Sequence, residues 1–204
     1  PQTNREWRAR RDRSNCAPSN FEPFPTPKQV FVEVGLCMFR SMIEPQRFRD
    51  VMASFPSGVV ILTAFGEDGL PRGLTVSAFC AVSMTPPLAL ACIDKTSNTL
   101  PAVQHTGGFT ANILAAGREE LARRMATKLT SKFEGIAWRR PRSTIGGPIF
   151  ENDTSGYAVC TLRDTIEAGD HWILIGLVTE GEHRESVRPM IYSRRLYDAI
   201  EPGS

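Results

Sequence analysis

The 204-residue chain is 41% hydrophobic and 23% charged and has a formal net charge of +2. This balance is typical of one soluble globular domain, and no apolar run approaches the roughly 20 residues that a membrane-spanning helix needs. Residues 1–41 hold seven lysines and arginines against four acidic residues, so the remainder is near neutral and a nucleic-acid partner is not expected.

The cysteines and histidines exclude further classes of protein. Five cysteines occur without a C-x-x-C motif, and three histidines are far apart, so the sequence favours neither a disulfide framework nor a zinc site. No segment resembles an export signal, and we expect a cytoplasmic protein. The Arg-rich, Pro-containing residues 1–43 are predicted to be a poorly ordered extension, and residues 44–200 are predicted to be the folded domain.

The first half of the domain begins with a predicted helix. Residues 44–55 place Phe48, Val51, Met52 and Phe55 at helical spacing, and a Pro-Ser-Gly sequence ends the pattern. Residues 58–65 are rich in β-branched side chains and predict a strand, followed by a turn at 67–69 and a return strand at 72–84.

The rest of the chain continues mainly with strands. The sequence predicts a strand at 88–93, a short helix at 97–105, a strand at 109–114 and a helix at 119–125. After a long irregular segment, it predicts two long strands at 156–167 and 170–180 and short strands at 190–192 and 196–200. This order indicates a mainly β fold with inserted helices, an antiparallel barrel, and no Rossmann unit, because no G-x-G-x-x-G follows a strand.

Three places have residues suited to binding chemistry. Residues 73–79 are small or hydroxyl-bearing, so a flat ring could approach the backbone, although a polar edge strand explains the composition equally well. A helix start at Ser97, Asn98 and Thr99 suits a phosphate, although most such starts are only caps. Lys132 and Phe133 could add a cation and an aromatic face to that group, although an isolated lysine is usually a solvated surface charge.

His171 is the one histidine that the sequence places at a strand end. It follows Asp170 directly after a glycine, so its ring is predicted at a barrel rim. From the residues alone, a strand-end histidine beside a carboxylate is more often structural than functional. A hydrolytic triad is not supported, because no G-x-S-x-G motif is present and adjacent strand residues point to opposite faces.

An ordered series of short motifs resembles the short-chain flavin reductases, the reductase components of two-component flavin monooxygenases. The resemblance covers residues 48–200, and its strength lies in the order in which the motifs occur. The motifs are F-R-x-x-M-x-x-F-P-S-G-V from Phe48, D-G from Asp68, G-L-T-V-S-A-F from Gly73, S-x-T-L-P from Ser97, Asn112, K-F-x-G from Lys132, A-G-D-H from Ala168 and G-x-V from Gly176.

The resemblance implies an FMN-binding split β-barrel, usually a homodimer, that reduces FMN or FAD with NADH or NADPH and supplies a partner monooxygenase. It implies that His171 contacts the nicotinamide, and that Ser57 lies close to the flavin ring. It further implies that the ring is lined by Thr75, Val76, Ser77, Ala78, Ala81 and Val82. The ribityl-phosphate end would meet Ser97, Asn98, Thr99, Lys132 and Phe133.

Two positions depart from the family pattern. Ala78 stands where the family often has a second serine, and Arg195 stands where many members have glycine. Two other functions stay open on the sequence, namely a flavin-binding carrier or sensor with little turnover, and a partner-binding scaffold without a cofactor.

Overall fold

A computed structural model describes residues 42–199 of the chain. The predicted N-terminal extension therefore lies almost wholly outside the described residues, and its boundary stays a prediction. The helices are α1 (Pro45–Ala53), α2 (Leu100–Thr106) and α3 (Glu119–Met125). The strands are β1 (Ser57–Gly58), β2 (Val60–Phe65), β3 (Pro71–Val76), β4 (Phe79–Met84), β5 (Pro87–Asp94), β6 (Gly108–Leu114), β7 (Thr154–Ala168), β8 (His171–His183), β9 (Met190–Ser193) and β10 (Leu196–Ala199).

The mainly β, antiparallel fold is confirmed. Seven strands form one sheet in the order β3-β2-β6-β7-β8-β5-β4, and β1, β9 and β10 form a second, smaller sheet in the order β1-β9-β10. The two edges of the large sheet, β3 and β4, are consecutive in the chain and are separated only by Ser77 and Ala78. The sheet must therefore curve until its edges meet, but the two edge strands do not pair, so this is a split barrel without hydrogen-bonded closure.

The predicted return strand at 72–84 is wrong as a single strand. It breaks at residues 77–78, where β3 leaves its partner β2 and β4 begins to pair with β5. The N–H of Cys92 donates to the carbonyl oxygen of Ala78 at 3.0 Å, so the chain joins the β5 side of the sheet at this residue. The break thus carries the chain from one edge of the barrel to the other.

Both faces of the sheet are covered. On β2, every residue is buried, and alternate side chains enter two different clusters. Leu62 belongs to the interior cluster with Phe109 and the α2 residue Val103, whereas Ile61 belongs to an outer cluster with the α3 residue Met125. Helix α2 thus packs into the barrel interior and α3 packs on its outside. None of the described helices is long and apolar enough to cross a membrane.

The β9–β10 hairpin turns through two arginines with left-handed backbone. Arg194 has φ 49° and Arg195 has φ 67°. Two-residue hairpin turns of this handedness usually contain Gly, which has no Cβ to clash with the backbone, or Asn, whose short polar side chain hydrogen-bonds locally. The turn is held against α1, since the Arg194 N–H donates to the carbonyl of Ala53 and the Arg195 guanidinium lies 2.8 Å from the Asp50 carboxylate.

Arg195 provides a direct test of this strained turn. We expect Arg195→Val to lower the free energy of unfolding by about 1–3 kcal/mol relative to Arg195→Gly, because a β-branched residue tolerates positive φ poorly. Both variants lose the ion pair with Asp50, so the difference between their free energies of unfolding reports the strain of the backbone at this residue. Urea denaturation measures both free energies. Equal denaturation midpoints and equal slopes for the two variants would contradict a left-handed conformation at this residue.

Candidate functional site

A small cleft lies at the break between β3 and β4. Its volume is about 160 Å³, and its walls come from β3, the end of α3 and the β9–β10 hairpin. The lining residues are Val59, Thr75, Val76, Ser77, Ala126, Tyr192 and Tyr197. We call this the β3 cleft. Three of the predicted ring-binding residues therefore line one cavity.

The small residues of β3 have two different roles. Gly73 is required by the protein's own packing, because a Cβ there would lie 3.0 Å from the Phe133 ring and 3.0 Å from the carbonyl oxygen of Leu62. The Thr75 hydroxyl donates to the carbonyl of Ala122 at 2.6 Å and ties β3 to α3. Ser77 is exposed and has left the strand, so its hydroxyl and backbone are accessible at the cleft.

Ser57 lies beside the cleft, whereas Ala81 and Val82 lie on β4 and do not line it. Ser57 pairs with Tyr192, a residue of the cleft wall, which brings it close to the cavity. Ala81 and Val82 are exposed on the edge strand β4, and Val82 lies at an irregularity where the pairing with β5 shifts register. Together with exposed Ala78, they extend the accessible surface beyond the cleft.

His171 lies at the first position of β8, directly opposite Asp94 at the end of β5. Its Nδ1 is 2.7 Å from Oδ1 of Asp170, and 43% of its side chain is exposed. A hydrogen bond from His171 is also the largest cause that lowers the pKa of the Asp170 carboxyl. Since an ionised carboxylate only accepts, Nδ1 carries the proton and Nε2 is left for a ligand. His171 thus lies at the end of a strand, where the sequence predicts it.

Asp94 shows which segments meet at this end of the sheet. Hydrogen bonds from the hydroxyl and N–H of Thr96 lower the pKa of its carboxyl, and the nearby charges of His171 and Lys128 contribute less. The loop after α3 and the start of β8 therefore lie beside the end of β5. We call Asp94, Asp170 and His171 the strand-end cluster.

Three of the predicted phosphate residues, Ser97, Asn98 and Thr99, follow Asp94 along the chain. Asn98 is exposed, whereas the side chain of Thr99 is buried, and Ser97 Oγ accepts the N–H of Thr99 at 3.2 Å. Only Ser97 and Asn98 thus present accessible side-chain groups. Their N–H groups precede α2, which has seven residues and Pro101 in its first turn.

Lys132 and Phe133, adjacent in sequence, have different environments. The Lys132 ammonium donates to the carbonyls of Met125 and Thr127, which flank the cleft residue Ala126, and burial lowers its pKa. One of its three N–H groups is left for another acceptor. Phe133 is only 8% exposed and its ring centroid lies 5.9 Å from that of Phe150, so it belongs to the outer core cluster.

Sequence reasoning missed the aromatic wall of the cleft. Tyr192 and Tyr197 pair across β9 and β10, with ring centroids 5.1 Å apart, and Arg123 of α3 lies 5.1 Å from the centroid of Tyr197. Burial, and secondarily Tyr192, raises the pKa of the Tyr197 phenol. Two tyrosines in short C-terminal strands were the available signal, but only the tertiary pairing shows that both face the cleft.

Larger cavities lie elsewhere. One of about 640 Å³ is lined by Tyr157, Glu180 and Glu182, among others, and contains none of the predicted site residues. A second, of about 540 Å³, includes Asn98 together with Glu67 and Asp68. Among residues 42–199, no group of three potential ligands is placed to hold a metal ion.

The lining of the β3 cleft is chemically suited to a flavin ring, but the cleft is large enough for only part of it. Its walls combine aromatic and small side chains with accessible hydroxyl and backbone groups, as ligand pockets for flat rings commonly do. At about 160 Å³ it is below the roughly 300–1,000 Å³ of pockets that enclose a whole ligand. The cleft can therefore take part of the ring, and the rest would extend over the exposed surface of β4.

Comparisons with known proteins identify the family of this chain. The family model of the flavin reductase like domain matches residues 52–201 of this chain. The chain is 38% identical over 157 residues to the flavin reductase (NADH) of Kitasatospora aureofaciens, covering 76% of this chain and 82% of that protein. It is 36% identical over 160 residues to the flavin-dependent monooxygenase reductase subunit HsaB of Rhodococcus jostii, covering 78% and 80%.

Solved structures similar to this chain also include flavin reductases and monooxygenase components. The NADH:FAD oxidoreductase SgcE6 of Streptomyces globisporus has a TM-score of 0.72 and 27% identity, covering 79% of this chain and 98% of that one. The same protein has been solved with NAD and FAD fragments. Nitrilotriacetate monooxygenase component B of Mycobacterium thermoresistibile has a TM-score of 0.71 and 34% identity, covering 77% and 87%.

Proposed function

The chain belongs to the flavin reductase like family and is an NAD(P)H-dependent flavin reductase, and from this premise we propose that it releases reduced flavin to a separate monooxygenase. The observation that carries the proposal is the β3 cleft, which is shallow and open beside exposed Ser77 and Ala78. A cofactor that must leave after reduction needs such an open site. Relatives named as reductase subunits of flavin-dependent monooxygenases support this role.

The flavin and the nicotinamide supply the hydride chemistry, so the protein has only to bind and orient them. Thr75, Val76 and Ser77, with Ser57 beside them, would hold the ring in the cleft, and Ala78, Ala81 and Val82 would support the part outside it. Ser97, Asn98 and the remaining N–H of Lys132 would bind the phosphate end. His171 would contact the nicotinamide through Nε2.

Buried Thr99 and Phe133 act indirectly in this proposal. Thr99 accepts the N–H of Val103 through its carbonyl at the start of α2, and Phe133 packs beneath β3. They would shape the site without touching the cofactor.

We propose NADH as the preferred hydride donor. Near His171, the carboxylates of Asp94, Asp170 and Glu167 outnumber the nearby ammonium groups, which are Lys95, 2.5 Å from Glu167, and Lys128. NADPH carries an additional phosphate on its adenosine ribose, so it is more negatively charged than NADH and an acidic rim disfavours its approach. A relative named flavin reductase (NADH) supports the same preference. FMN and FAD share the ring that the cleft would hold, so either would serve.

Absorbance at 340 nm, with the purified protein and each pair of nucleotide and flavin, tests the proposed function. We expect NADH to be oxidised with FMN, FAD or both, and kcat/KM for NADH to exceed that for NADPH, because the more highly charged nucleotide approaches the acidic rim less readily. A flavin-binding carrier, which the enzymatic relatives do not favour, would consume no NADH. Equal kcat/KM values for NADH and NADPH would contradict the role of the acidic rim but not the flavin reductase activity.

We also propose that the active form is a homodimer. Helix α1 has no buried residue, and its apolar side chains at Phe48, Val51 and Met52 are all at least half exposed. The edge strand β4 adds Met84, which is 85% exposed. Exposed apolar groups next to an unpaired sheet edge commonly mark a protein interface. Sedimentation equilibrium should give twice the chain mass, and a monomer at micromolar concentration would oppose the proposal.

The cytoplasmic location stays a prediction. Cys80, Cys92 and Cys160 are free thiols, which is consistent with a reducing compartment.

A further inference from the structure

The β9–β10 hairpin presents a preorganised aromatic wall to the β3 cleft. Tyr192 and Tyr197 both line the cavity, both remain partly exposed, and they face each other directly across the two strands. Their rings are tilted by 48° at a centroid separation of 5.1 Å, a geometry typical of favourable aromatic pairs. An aromatic pair in an otherwise small-residue cavity is suited to contact with a flat ring.

Contacts from three elements hold this wall in place. Arg123 of α3 lies 5.1 Å from the centroid of the Tyr197 ring, so this ring is restrained by a guanidinium as well as by its tyrosine neighbour. The backbone of Tyr192 is fixed from the other side by pairing with Ser57. The strained turn that connects the two strands is held on α1 by Asp50 and Ala53. Such support keeps both rings in place before a ligand arrives, which lowers the ordering cost of binding.

We propose that Tyr192 and Tyr197 are flavin-binding residues that contact the ring system in the β3 cleft, independently of the ribityl phosphate. The inference rests on the proposed function, because it requires that the cleft binds flavin. It assigns the ring to the aromatic side of the cleft and the phosphate to the Ser97 and Lys132 side. A tyrosine phenol is neutral at physiological pH, and burial only raises the pKa of Tyr197 further, so the aromatic wall does not repel an anionic cofactor.

Riboflavin and FMN separate these two contributions, because they share the ring but only FMN has the phosphate. We expect Tyr192→Leu and Tyr197→Leu each to weaken the binding of both flavins by about tenfold, the usual size of a ring-stacking contribution. The factor should be equal for the two ligands. Flavin fluorescence titration of the purified full chain measures both dissociation constants without requiring turnover.

The phenylalanine variants distinguish contact from folding. A tyrosine in contact with flavin quenches its emission by donating an electron, and phenylalanine does so poorly. We therefore expect Tyr192→Phe and Tyr197→Phe to keep the affinity within about twofold, since the ring surface is conserved, but to leave bound flavin brighter. Leu196→Ala is the matched control, because Leu196 is adjacent to Tyr197, is 70% exposed and does not line the cleft.

The outcomes separate this inference from the proposed function. Unchanged affinity for riboflavin in both leucine variants, or a loss confined to FMN, would overturn the inference while NADH oxidation by the wild type continued. An equal loss in Leu196→Ala would also overturn it, since the effect would then come from the hairpin's folding. A wild-type protein that binds no flavin and oxidises no NADH would contradict the proposed function itself.

Discussion

Replacing His171 with alanine is expected to lower kcat/KM for NADH by about tenfold to a hundredfold, the usual effect of losing a group that orients a reacting ring. The flavin dissociation constant should not change, because His171 lies outside the β3 cleft. Stopped-flow reduction of enzyme-bound flavin measures the nucleotide dependence, and fluorescence titration measures flavin binding.

The expected loss follows from how His171 is held. Asp170 fixes Nδ1 at 2.7 Å, so the ring is already oriented before the nucleotide binds. Its removal deletes one contact at the nicotinamide side and leaves the walls of the cleft intact. The role proposed for His171 requires the effect to appear in nucleotide kinetics alone.

His183 provides a matched control on the same strand. It lies at the opposite end of β8, its side chain is 81% exposed, and its Nε2 lies 3.7 Å from Glu185. His183→Ala should retain wild-type kinetics. If His171→Ala retained them too, the assignment of His171 to the nicotinamide would be wrong, whereas a loss of flavin binding in His171→Ala would place this residue in the flavin site instead.

The largest loss of stability is expected at Gly147, where a side chain has no space. A Cβ at this residue would lie 2.3 Å from the nitrogen and 2.6 Å from the Cα of Ala64, and 2.5 Å from the carbonyl carbon of Thr63. These are backbone atoms of β2, which is fully buried, so the strand or the loop must move. Gly147→Ala should therefore lower the free energy of unfolding by about 3 kcal/mol or more.

Hydrogen bonds increase the cost of moving this loop. The Gly147 carbonyl accepts the Thr110 hydroxyl at 2.9 Å, and the Pro148 carbonyl accepts both the Thr63 hydroxyl at 2.7 Å and the Asn112 amide at 3.0 Å. Displacing the segment leaves several of these buried groups unpaired. A loss of about 3 kcal/mol corresponds to a fall in Tm of roughly 6–12 °C for a domain of this size.

Thermal unfolding followed by circular dichroism tests this prediction. Gly58→Ala is the control, because a Cβ at Gly58 meets nothing within 4 Å and its φ is not positive. The control should unfold within a few degrees of the wild type. A Tm for Gly147→Ala that matches the control would show that the loop tolerates a methyl group and is less closely packed on β2 than the structure indicates.

The sequence predicts best where local patterns decide the structure. Helix α3 has the predicted bounds, and the long β7–β8 hairpin pairs around the predicted turn, because capping, period and turn residues are all local signals. The break at residues 77–78 could not be predicted, since neither Gly nor Pro interrupts an almost continuous strand pattern there. The change of partner from β2 to β5 depends on the closure of the whole sheet.

The candidate site shows the same limit. Family motifs identified Thr75, Val76 and Ser77, which share one cavity, but they did not distinguish accessible Lys132 from core Phe133, because adjacent residues in a loop can have opposite burial. The arginine turn carried no hairpin signal, since two-residue turns of its handedness are normally recognised by Asn or Gly.

If flavin binds as proposed, the pairing of Ser57 with Tyr192 determines when the protein can first bind its cofactor. Strands β7 and β8 are joined by a two-residue turn and can associate early, whereas β1 and β9 must close a loop of more than 130 residues. The cleft is therefore among the last parts of the protein to form. During synthesis the ring-binding wall is missing until residues 190–199 have emerged, so the growing chain must reach its barrel without flavin to stabilise it.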